Sequence, residues 1–425
     1  MSDEIIRDGA PAIRHLRRNT LAICGGGNAG HALAVIASKR FNGDVVWLVS
    51  SEERAEVLRR GVYSPDGLRA TGIVEGQADN IRAISSDPVQ IIPDADIVLI
   101  AVPAFAHAPI LKRIAPYLKE TAIVGSLPTR GGFEFEATNM VKGIEPFGRR
   151  AIFGLQTLPW STRIVEPGKI VNFGTLKATV LMAALPQRRA ADIGAQMSDL
   201  IGTNLVATEN FLNMTLGNPG QVVHPGILYG FFSTWAGERY TEDTIPHFYR
   251  DASDETGRVV EHLSDEILAV AKRIEARSSG VLDLSGVNSI HDWLKASYPT
   301  QTTDTSTVAT CFRTGPLQHR KAPMHEAAPG LYEPKFAYRY LTEDVPYGLA
   351  VVKAIAEVTE VETPAIDAVI LWAQEKLGKQ YMIGGKLNGR DARELPTPHH
   401  AGIKTLTHLI DWYAAWDVAQ TVNYA

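Results

Sequence analysis

Short apolar runs alternate with amphipathic segments through the first half of the chain. They comprise Leu21 to Cys24, Asp44 to Ser50, Ala95 to Pro103, Thr121 to Ser126, Ala151 to Leu155 and Lys177 to Leu185. Continuous apolar runs of this length are typical of strands that are buried on both faces of a parallel sheet. Because helical patterns lie between several of them, we predict an α/β fold with a Rossmann-type, doubly wound sheet.

The pattern changes near residue 207, after which helical periodicity predominates. One long helix is predicted from His247 to Ala276. Another opens at Thr363, the predicted N-cap before Pro364, and ends at Gly378. A chain of 425 residues is long enough for two domains. We therefore predict an α/β domain over residues 1–206 and a mostly α-helical domain over residues 207–425, with the active site in the cleft between them.

Composition and charge argue against nucleic-acid binding, membrane insertion and metal binding. Hydrophobic residues make up 45% of the chain and charged residues 21%, and the net charge is −5. The chain has no long basic run, which argues against nucleic-acid binding. It also has no apolar stretch of the roughly 18 residues that cross a bilayer. Two cysteines and no apolar leader favour the cytoplasm. Neither H-E-x-x-H nor C-x-x-C is present, so we expect no metal site.

The most informative motif directly follows the first apolar run. Gly25, Gly27 and Gly30 stand at the G-x-G-x-x-G spacing, between a predicted strand and a predicted helix. Such glycines allow a tight turn, a close approach of a pyrophosphate and close helix–strand packing. The helix start, at Asn28 and Ala29, offers free N–H groups to phosphates. The motif predicts that residues 1–206 bind a dinucleotide; the alternative is a merely structural glycine turn.

The residues after the second apolar run bear on which dinucleotide is bound. Ser50 and Ser51 come first, and Arg54 follows closely. Hydroxyls and a guanidinium suit a 2′-phosphate, so NADP is favoured. Glu52 could instead bind the ribose of NAD. The charged residues could also be no more than the solvated start of a helix.

Three segments together resemble the octopine/nopaline dehydrogenase family, the opine dehydrogenases. They read FLNMTLGNPGQVVHPGILYG at 211–230, FAYRYLTEDVPYGL at 336–349 and GLQTLPWSTRI at 154–164. The resemblance covers most of the chain. It implies an NADH- or NADPH-dependent reductive condensation of the amine of an amino acid with a 2-oxo acid such as pyruvate or 2-oxoglutarate. The product is an N-(carboxyalkyl)amino acid.

The resemblance also implies site residues. His224 would exchange protons as acid and base, since histidine titrates near neutral pH. Asp344 would hold its other ring nitrogen, as the family's His–Asp pair does. Arg339 would bind the carboxylate of the amino acid. Taken alone, His224 could be a structural histidine, Asp344 a helix N-cap and Arg339 a surface arginine.

Further positions are expected around this pair. Val102 and Pro103 follow a buried run and would flank the cofactor. Thr157 lies where family members contact the 2-oxo acid, whereas Thr129 stands where a glutamine is expected, a departure that bears on the choice of oxo acid. Arg130 would serve a second carboxylate, or else contact phosphate or solvent.

Two other functions remain open at this stage. One is a reductase of a simple 2-oxo or 3-hydroxy acid, many of which use a catalytic lysine, and the other is a non-catalytic NAD(P)-binding sensor. The aromatic-rich tail, with Trp412, Tyr413 and Trp416, would be a packing or subunit surface. A homodimer is our expectation.

Overall fold

The computed structural model describes residues 19–141 and 149–417, and its strands form three sheets. The strand bounds are β1 Asn19–Cys24, β2 Gly43–Leu48, β3 Leu68–Gly72, β4 Gly76–Ala78, β5 Ile81–Ser85, β6 Ile97–Ile100, β7 Ile123–Ser126, β8 Ala151–Leu155, β9 Trp160–Glu166, β10 Ile170–Leu176, β11 Thr179–Leu185, β12 Asn204–Ala207, β13 Met324–Ala328 and β14 Leu331–Pro334.

The main sheet has the order β12-β11-β8-β7-β6-β1-β2-β5. Six neighbouring strands of this sheet, in the spatial order β5-β2-β1-β6-β7-β8, are mutually parallel. This is the Rossmann order, which confirms the predicted fold. β11 then pairs antiparallel to β8. Each predicted apolar run contains a strand, but several strands are shorter than the run. β2, for example, ends at Leu48 because Ser51 already caps the next helix.

A second, four-stranded sheet was not predicted. Its order is β4-β3-β10-β9, and β4 and β9 contact the first helix of the Rossmann part. β9 reads WSTRIVE, in which apolar and polar residues do not alternate, so its sequence carries little period-two signal. Gly168, with φ of +74°, lies in the short connection between β9 and β10. Its N–H donates to Nε2 of the buried His31 at 2.9 Å, which ties this sheet to the first helix.

Helices occupy most of the chain after β12. The α-helix bounds are α1 Asn28–Arg40, α2 Glu52–Val62, α3 Pro88–Ile91, α4 His107–Ile114, α5 Phe133–Met140, α6 Ala190–Ile201, α7 Leu212–Leu216, α8 Gly220–Phe232, α9 Asp254–Ser278, α10 Ile290–Ser297, α11 Val308–Thr314, α12 Arg339–Thr342, α13 Ala350–Thr359, α14 Pro364–Leu377 and α15 Leu406–Asp417. A predominantly helical second half is thereby confirmed. The boundary at 206/207 stays a prediction.

Two of the predicted helix ends differ from the structure. The long helix begins at Asp254 and not at His247, because the Ser253 hydroxyl accepts a hydrogen bond from the Thr256 N–H and caps the helix there. Thr363 precedes α14 as expected, but its side chain makes no capping bond. The carboxylate of Glu266, from α9, caps α14 in its place.

The core has two parts, one on each face of the main sheet. The part on the α4 and α5 face continues without interruption into the C-terminal helices. Tyr413 and Trp416 are buried in it, so the aromatic tail packs on its own chain. This continuity fixes the helical part over the carboxyl ends of the parallel strands. Among the described residues, no helix is long and apolar enough to cross a membrane.

Candidate functional site

Two glycines of the turn after β1, Gly25 and Gly30, are packed too tightly to be replaced by a residue with a side chain. Gly25 has φ of +130°, and its carbonyl accepts a hydrogen bond from the buried Trp47 indole at 2.8 Å. A Cβ on Gly30 would lie 1.9 Å from the Gly25 carbonyl oxygen, so helix and strand meet at van der Waals distance. These two glycines serve the turn and the packing that the motif predicts.

Gly27 differs from its two neighbours in the motif. A Cβ there would meet nothing within 4 Å, so the surface above it is open. α1 begins at the next residue without a side-chain cap, which leaves the N–H groups of its first turn for a ligand. The Asn28 side chain is turned aside and accepts a hydrogen bond from the Ile164 N–H at 2.8 Å. An open, uncapped helix start fits the phosphates of a dinucleotide.

The residues predicted to select the cofactor follow β2. Ser51 caps α2, accepting from the Arg54 N–H, and Ser50 is exposed beside it. The Arg54 guanidinium donates to the Gly26 carbonyl at 3.3 Å, so this side chain lies along the glycine turn. Glu52 is engaged elsewhere, since its carboxylate pairs with Arg59 and accepts from the Ser86 hydroxyl.

The loop after β6 joins the cofactor side of the fold to the helical part. Val102 lies against the glycine turn, its Cγ1 2.9 Å from where a Cβ of Gly25 would stand. Pro103 follows and is exposed, and the Ala104 N–H donates to Oε1 of Glu343 at 3.1 Å. A residue of the C-terminal part therefore holds the loop predicted to flank the cofactor.

His224 and Asp344 lie side by side although 120 residues separate them in sequence. His224 Nδ1 lies 2.8 Å from Oδ2 of Asp344. A carboxylate only accepts hydrogen bonds, so Nδ1 carries the proton and Nε2 is left for a ligand. The Tyr340 ring stacks on the imidazole, with centroids 3.9 Å apart. Asp344 makes no capping bond to the turn that follows it, which removes the N-cap alternative.

Two glycines allow the helix and the turn to approach so closely. A Cβ on Gly348 would lie 2.5 Å from Cβ of Gln221, and a Cβ on Gly220 would lie 3.3 Å from Oδ1 of Asp344. The turn Val345–Leu349 is a wide π-type turn, a form frequent at functional sites. α8 and this turn therefore bring the ring and the carboxylate together.

Arg130 is part of the same cluster and not a solvent-facing residue. Its side chain is 12% exposed, and Nη1 lies 3.4 Å from Oδ1 of Asp344. Nη1 also donates to Asn218 at 2.9 Å, and Nε lies 3.5 Å from Glu343. Burial alone would raise the pKa of Asp344, but the charge of Arg130 and the hydrogen bond from His224 lower it below its usual value. Asp344 is therefore ionised at neutral pH.

Glu343 connects this cluster to Arg339. The Glu343 side chain is 3% exposed, and its Oε2 accepts a hydrogen bond from Nη2 of Arg339 at 2.7 Å. The Arg339 side chain is 53% exposed, so the rest of its guanidinium faces outward. Arg339 is therefore an exposed arginine that also lines the cleft containing His224, and its role in binding substrate stays a prediction.

A cleft of about 1150 Å³ opens in front of the histidine, and cationic side chains recur in its wall. Lys177 donates to the Thr157 hydroxyl at 2.7 Å and to the Leu158 carbonyl at 3.0 Å, and burial lowers its pKa to about 8. Thr129 is buried behind the wall and is not part of the lining. The lining includes the cationic and histidine side chains Arg130, Lys177, His224, Arg320 and Arg339.

Sequence reasoning missed four members of this site. Lys177 and Arg320 reach the cleft from segments that no motif marks, and Tyr340 lies beside Arg339 in the segment 336–349 without a signal of its own. Arg320 donates to the Tyr340 hydroxyl at 3.1 Å. Glu343 offered a signal, because it is four residues after Arg339 on a helical turn and directly precedes Asp344.

A Rossmann sheet with an open phosphate turn, beside a histidine–carboxylate pair in a cleft, defines an NAD(P)-dependent oxidoreductase. Residues 207–377 match the family model described as NAD/NADP octopine/nopaline dehydrogenase, alpha-helical domain. Residues 20–152 match that of the NAD-dependent glycerol-3-phosphate dehydrogenase N-terminus. The chain belongs to the octopine/nopaline dehydrogenase family, whose members are opine dehydrogenases acting on CH–NH donors.

Individual relatives support this assignment over nearly the whole chain. An opine dehydrogenase of Haliotis discus hannai is 32% identical, over 93% of this chain and 99% of its own. A tauropine dehydrogenase of Arabella iricolor is 31% identical, over 92% and 99%. The structure of an octopine dehydrogenase with NADH and L-arginine superposes with a TM-score of 0.84, at 29% identity, over 92% of this chain and 98% of that one.

The glycine turn generates a paired prediction. Gly27→Ala places its Cβ in open space, so the protein should keep its thermal stability and yet bind NADPH or NADH about tenfold more weakly, because the methyl group occupies phosphate space. Gly30→Ala should instead lower the free energy of unfolding by about 2 kcal/mol or more, because its Cβ would overlap the Gly25 carbonyl. Denaturant unfolding and fluorescence titration with each cofactor measure both. Unchanged cofactor affinity in Gly27→Ala would contradict the prediction.

Proposed function

We propose that this chain condenses the amine of an amino acid with a 2-oxo acid and reduces the resulting imine to an N-(carboxyalkyl)amino acid. The observation that carries the proposal is the His224–Asp344 pair at 2.8 Å, at the edge of a cleft with cationic walls. Imine formation releases water, and reduction adds a hydride to the imine carbon and a proton to its nitrogen. A bound reduced nicotinamide supplies the hydride.

The proton chemistry falls to His224. Nε2 is the ring nitrogen that faces a ligand, because Nδ1 is held by Asp344. The imidazolium can donate a proton to the carbinolamine hydroxyl, which then leaves as water. The ionised carboxylate of Asp344 stabilises the imidazolium and fixes the ring, and the stacked Tyr340 limits its rotation.

Binding of the substrates needs positive charge for at least two carboxylates. We assign the amino-acid carboxylate to Arg339, whose outward guanidinium nitrogens remain available while Glu343 holds Nη2. We assign the carboxylate of the 2-oxo acid to Lys177 and Thr157, which are hydrogen-bonded to each other in the wall of the same cleft. Thr129 acts only from behind this wall, through its packing against Gly154.

The first test is the substrate requirement. Oxidation of NADPH or NADH, followed by absorbance, should need an amino acid and a 2-oxo acid together, across a matrix of amino acids with pyruvate and 2-oxoglutarate. His224→Ala should lower turnover by about 10²- to 10⁴-fold without loss of cofactor binding. His262→Ala, at an exposed position on α9, is the matched control and should retain wild-type activity. Turnover with a ketone alone would favour the simple oxo acid reductase instead.

We infer a preference for NADP from the side chains after β2. Arg54 lies along the glycine turn, where it can bind a 2′-phosphate beside the exposed Ser50 and Ser51 hydroxyls. Glu52, the residue that would bind the ribose hydroxyls of NAD, is already engaged by Arg59 and Ser86. NADH remains the alternative reductant, since it is the cofactor in the octopine dehydrogenase structure that superposes on this chain.

Replacement of Arg54 tests this preference. Arg54→Ala should raise KM for NADPH by about tenfold and KM for NADH much less, because one charge-assisted contact to phosphate is lost. Arg60→Ala, an exposed arginine further along α2, is the matched control and should change neither value. An equal rise for both cofactors would mean that Arg54 contacts a group common to them, and the preference for NADP would be withdrawn.

We also propose that Glu343 is a positioning residue for Arg339. Glu343→Gln keeps the shape but not the charge, so Arg339 should lose its anchor and KM for the amino acid should rise about tenfold, more than kcat falls. A purely structural role would reduce the folded fraction and leave KM unchanged. Glu362→Gln, at an exposed position, serves as the control in the same steady-state assay.

The oligomeric state, the cellular location and the domain boundary are proposals as well. We propose a homodimer in the cytoplasm, with a dinucleotide-binding domain over residues 1–206 and a catalytic and substrate domain over residues 207–425, to whose cleft Thr157 and Lys177 of the first domain also contribute. The last strand of the main sheet, β12, ends at Ala207, next to this proposed boundary.

A further inference from the structure

A second cavity of about 1150 Å³ lies on the α4 and α5 side of the molecule, away from the cleft. It shares no lining residue with the cleft that contains His224. Its walls come from α4, α5, the turn Val345–Leu349 and the segment 393–400. Apolar side chains form much of the wall, namely Phe105, Ala108, Pro109, Met140 and Pro396. Charged side chains, such as Lys112, Arg393 and Glu394, are exposed around it.

The unusual member of this cavity is Glu136. It is 7% exposed, and no described residue forms a hydrogen bond or ion pair with its carboxyl group. The neighbouring buried carboxyl of Glu134, by contrast, accepts hydrogen bonds from Thr215 and Tyr413. Burial raises the pKa of Glu136 to about 7, with no compensating contact. A buried carboxylate without a partner is costly, and a bound cation would remove that cost.

The surroundings define what kind of cation would fit. Burial, with the nearby charges of Glu136 and Glu394, raises the pKa of the Tyr347 hydroxyl to about 12, so this hydroxyl lies close to the Glu136 carboxyl group. A carboxylate and a phenol both accept hydrogen bonds from an ammonium group. The apolar wall beside them suits a short alkyl chain. We propose that this cavity is a second ligand site, which binds a primary alkylammonium with its charged end on Glu136.

The site is also connected to the reaction centre through backbone. Tyr347 is three residues after Asp344, and its carbonyl accepts a hydrogen bond from the Gly131 N–H at 3.0 Å. Gly131 directly follows Arg130, the cation that contacts Asp344. Tyr347, in the wall of the second site, is therefore linked through Gly131 to the arginine that contacts the carboxylate of the proposed catalytic pair. The binding site itself does not depend on the proposed reaction.

Calorimetric titration of the full chain with n-butylamine at pH 8 tests the proposal. At this pH the carboxyl of Glu136 is mostly ionised while the amine is protonated. We expect saturable binding of one equivalent to the wild-type protein and no binding of n-butanol, which has the same shape without the charge. Glu136→Gln should bind the amine at least about tenfold more weakly, since a charge-assisted hydrogen bond is lost. Glu120→Gln, at an exposed position outside the cavity, should bind like wild type.

A second variant keeps the test decisive if Glu136→Gln does not fold. Ala108→Phe fills the cavity from α4 without touching the carboxyl group, and it should also abolish binding. Absence of saturable binding to the wild-type protein would overturn the proposal. So would equal affinity in the wild type and in whichever of the two variants is folded, because the amine would then lie elsewhere, as in the cleft.

Discussion

Two adjacent buried carboxylates, Glu343 and Asp344, are the constraint on which the site depends. Removing an ionised carboxylate from water costs several kcal/mol even after relaxation. Favourable contacts with cations and hydrogen-bond donors must therefore offset about that much desolvation free energy for each of the two carboxylates. Arg130 recovers part of it by lying between the two, 3.5 Å from one and 3.4 Å from the other. Arg339 completes the charge balance, and His224 adds a hydrogen bond to Asp344. Loss of one partner would leave a buried charge uncompensated, which makes the cluster cooperative.

The cluster also explains how the helical part of the chain is held in a fixed position against the Rossmann part. Its side chains come from the loop after β7, from α8, from α12 and from the turn that follows α12, and the loop after β6 is hydrogen-bonded to Glu343. Those loops lie at the carboxyl ends of parallel strands, where open α/β sheets bind their ligands. Since Glu343 accepts from the Ala104 N–H, the helical part is fixed against the cofactor side by a charged group and not by apolar packing alone. The proposed reacting groups and the glycine turn after β1 are therefore held in one frame.

The sequence predicted those features that leave a local pattern. Apolar runs located six of the eight strands of the main sheet, all but its edge strands β5 and β12, and the glycine spacing located the tight turn between β1 and α1, because both signals are set by near neighbours in the chain. The four-stranded sheet was not predicted, since β9 and β10 are partly exposed and β10 pairs with the distant β3. Lys177 and Arg320 were not predicted for the same reason, because the tertiary fold, and not any local pattern, brings their side chains to the cleft. The pairing of His224 with Asp344 was available only through family resemblance, because nothing in their spacing of 120 residues indicates contact.

Arg130 shows how the structure changes the prediction of substrate. The sequence made it a candidate for the second carboxylate of a 2-oxo acid such as 2-oxoglutarate. In the fold, Nη1 donates to Asn218 and lies beside Asp344, while Nε faces Glu343. The Arg130 guanidinium therefore neutralises the two buried carboxylates. Burial alone would lower its pKa, but the negative charges of Asp344 and Glu343 raise it above its usual value. Arg320 and Lys177 then remain as the cations that could bind a second carboxylate. If Lys177 binds the first carboxylate of the oxo acid, the choice between pyruvate and 2-oxoglutarate rests on whether Arg320 is free from Tyr340 to reach the ligand.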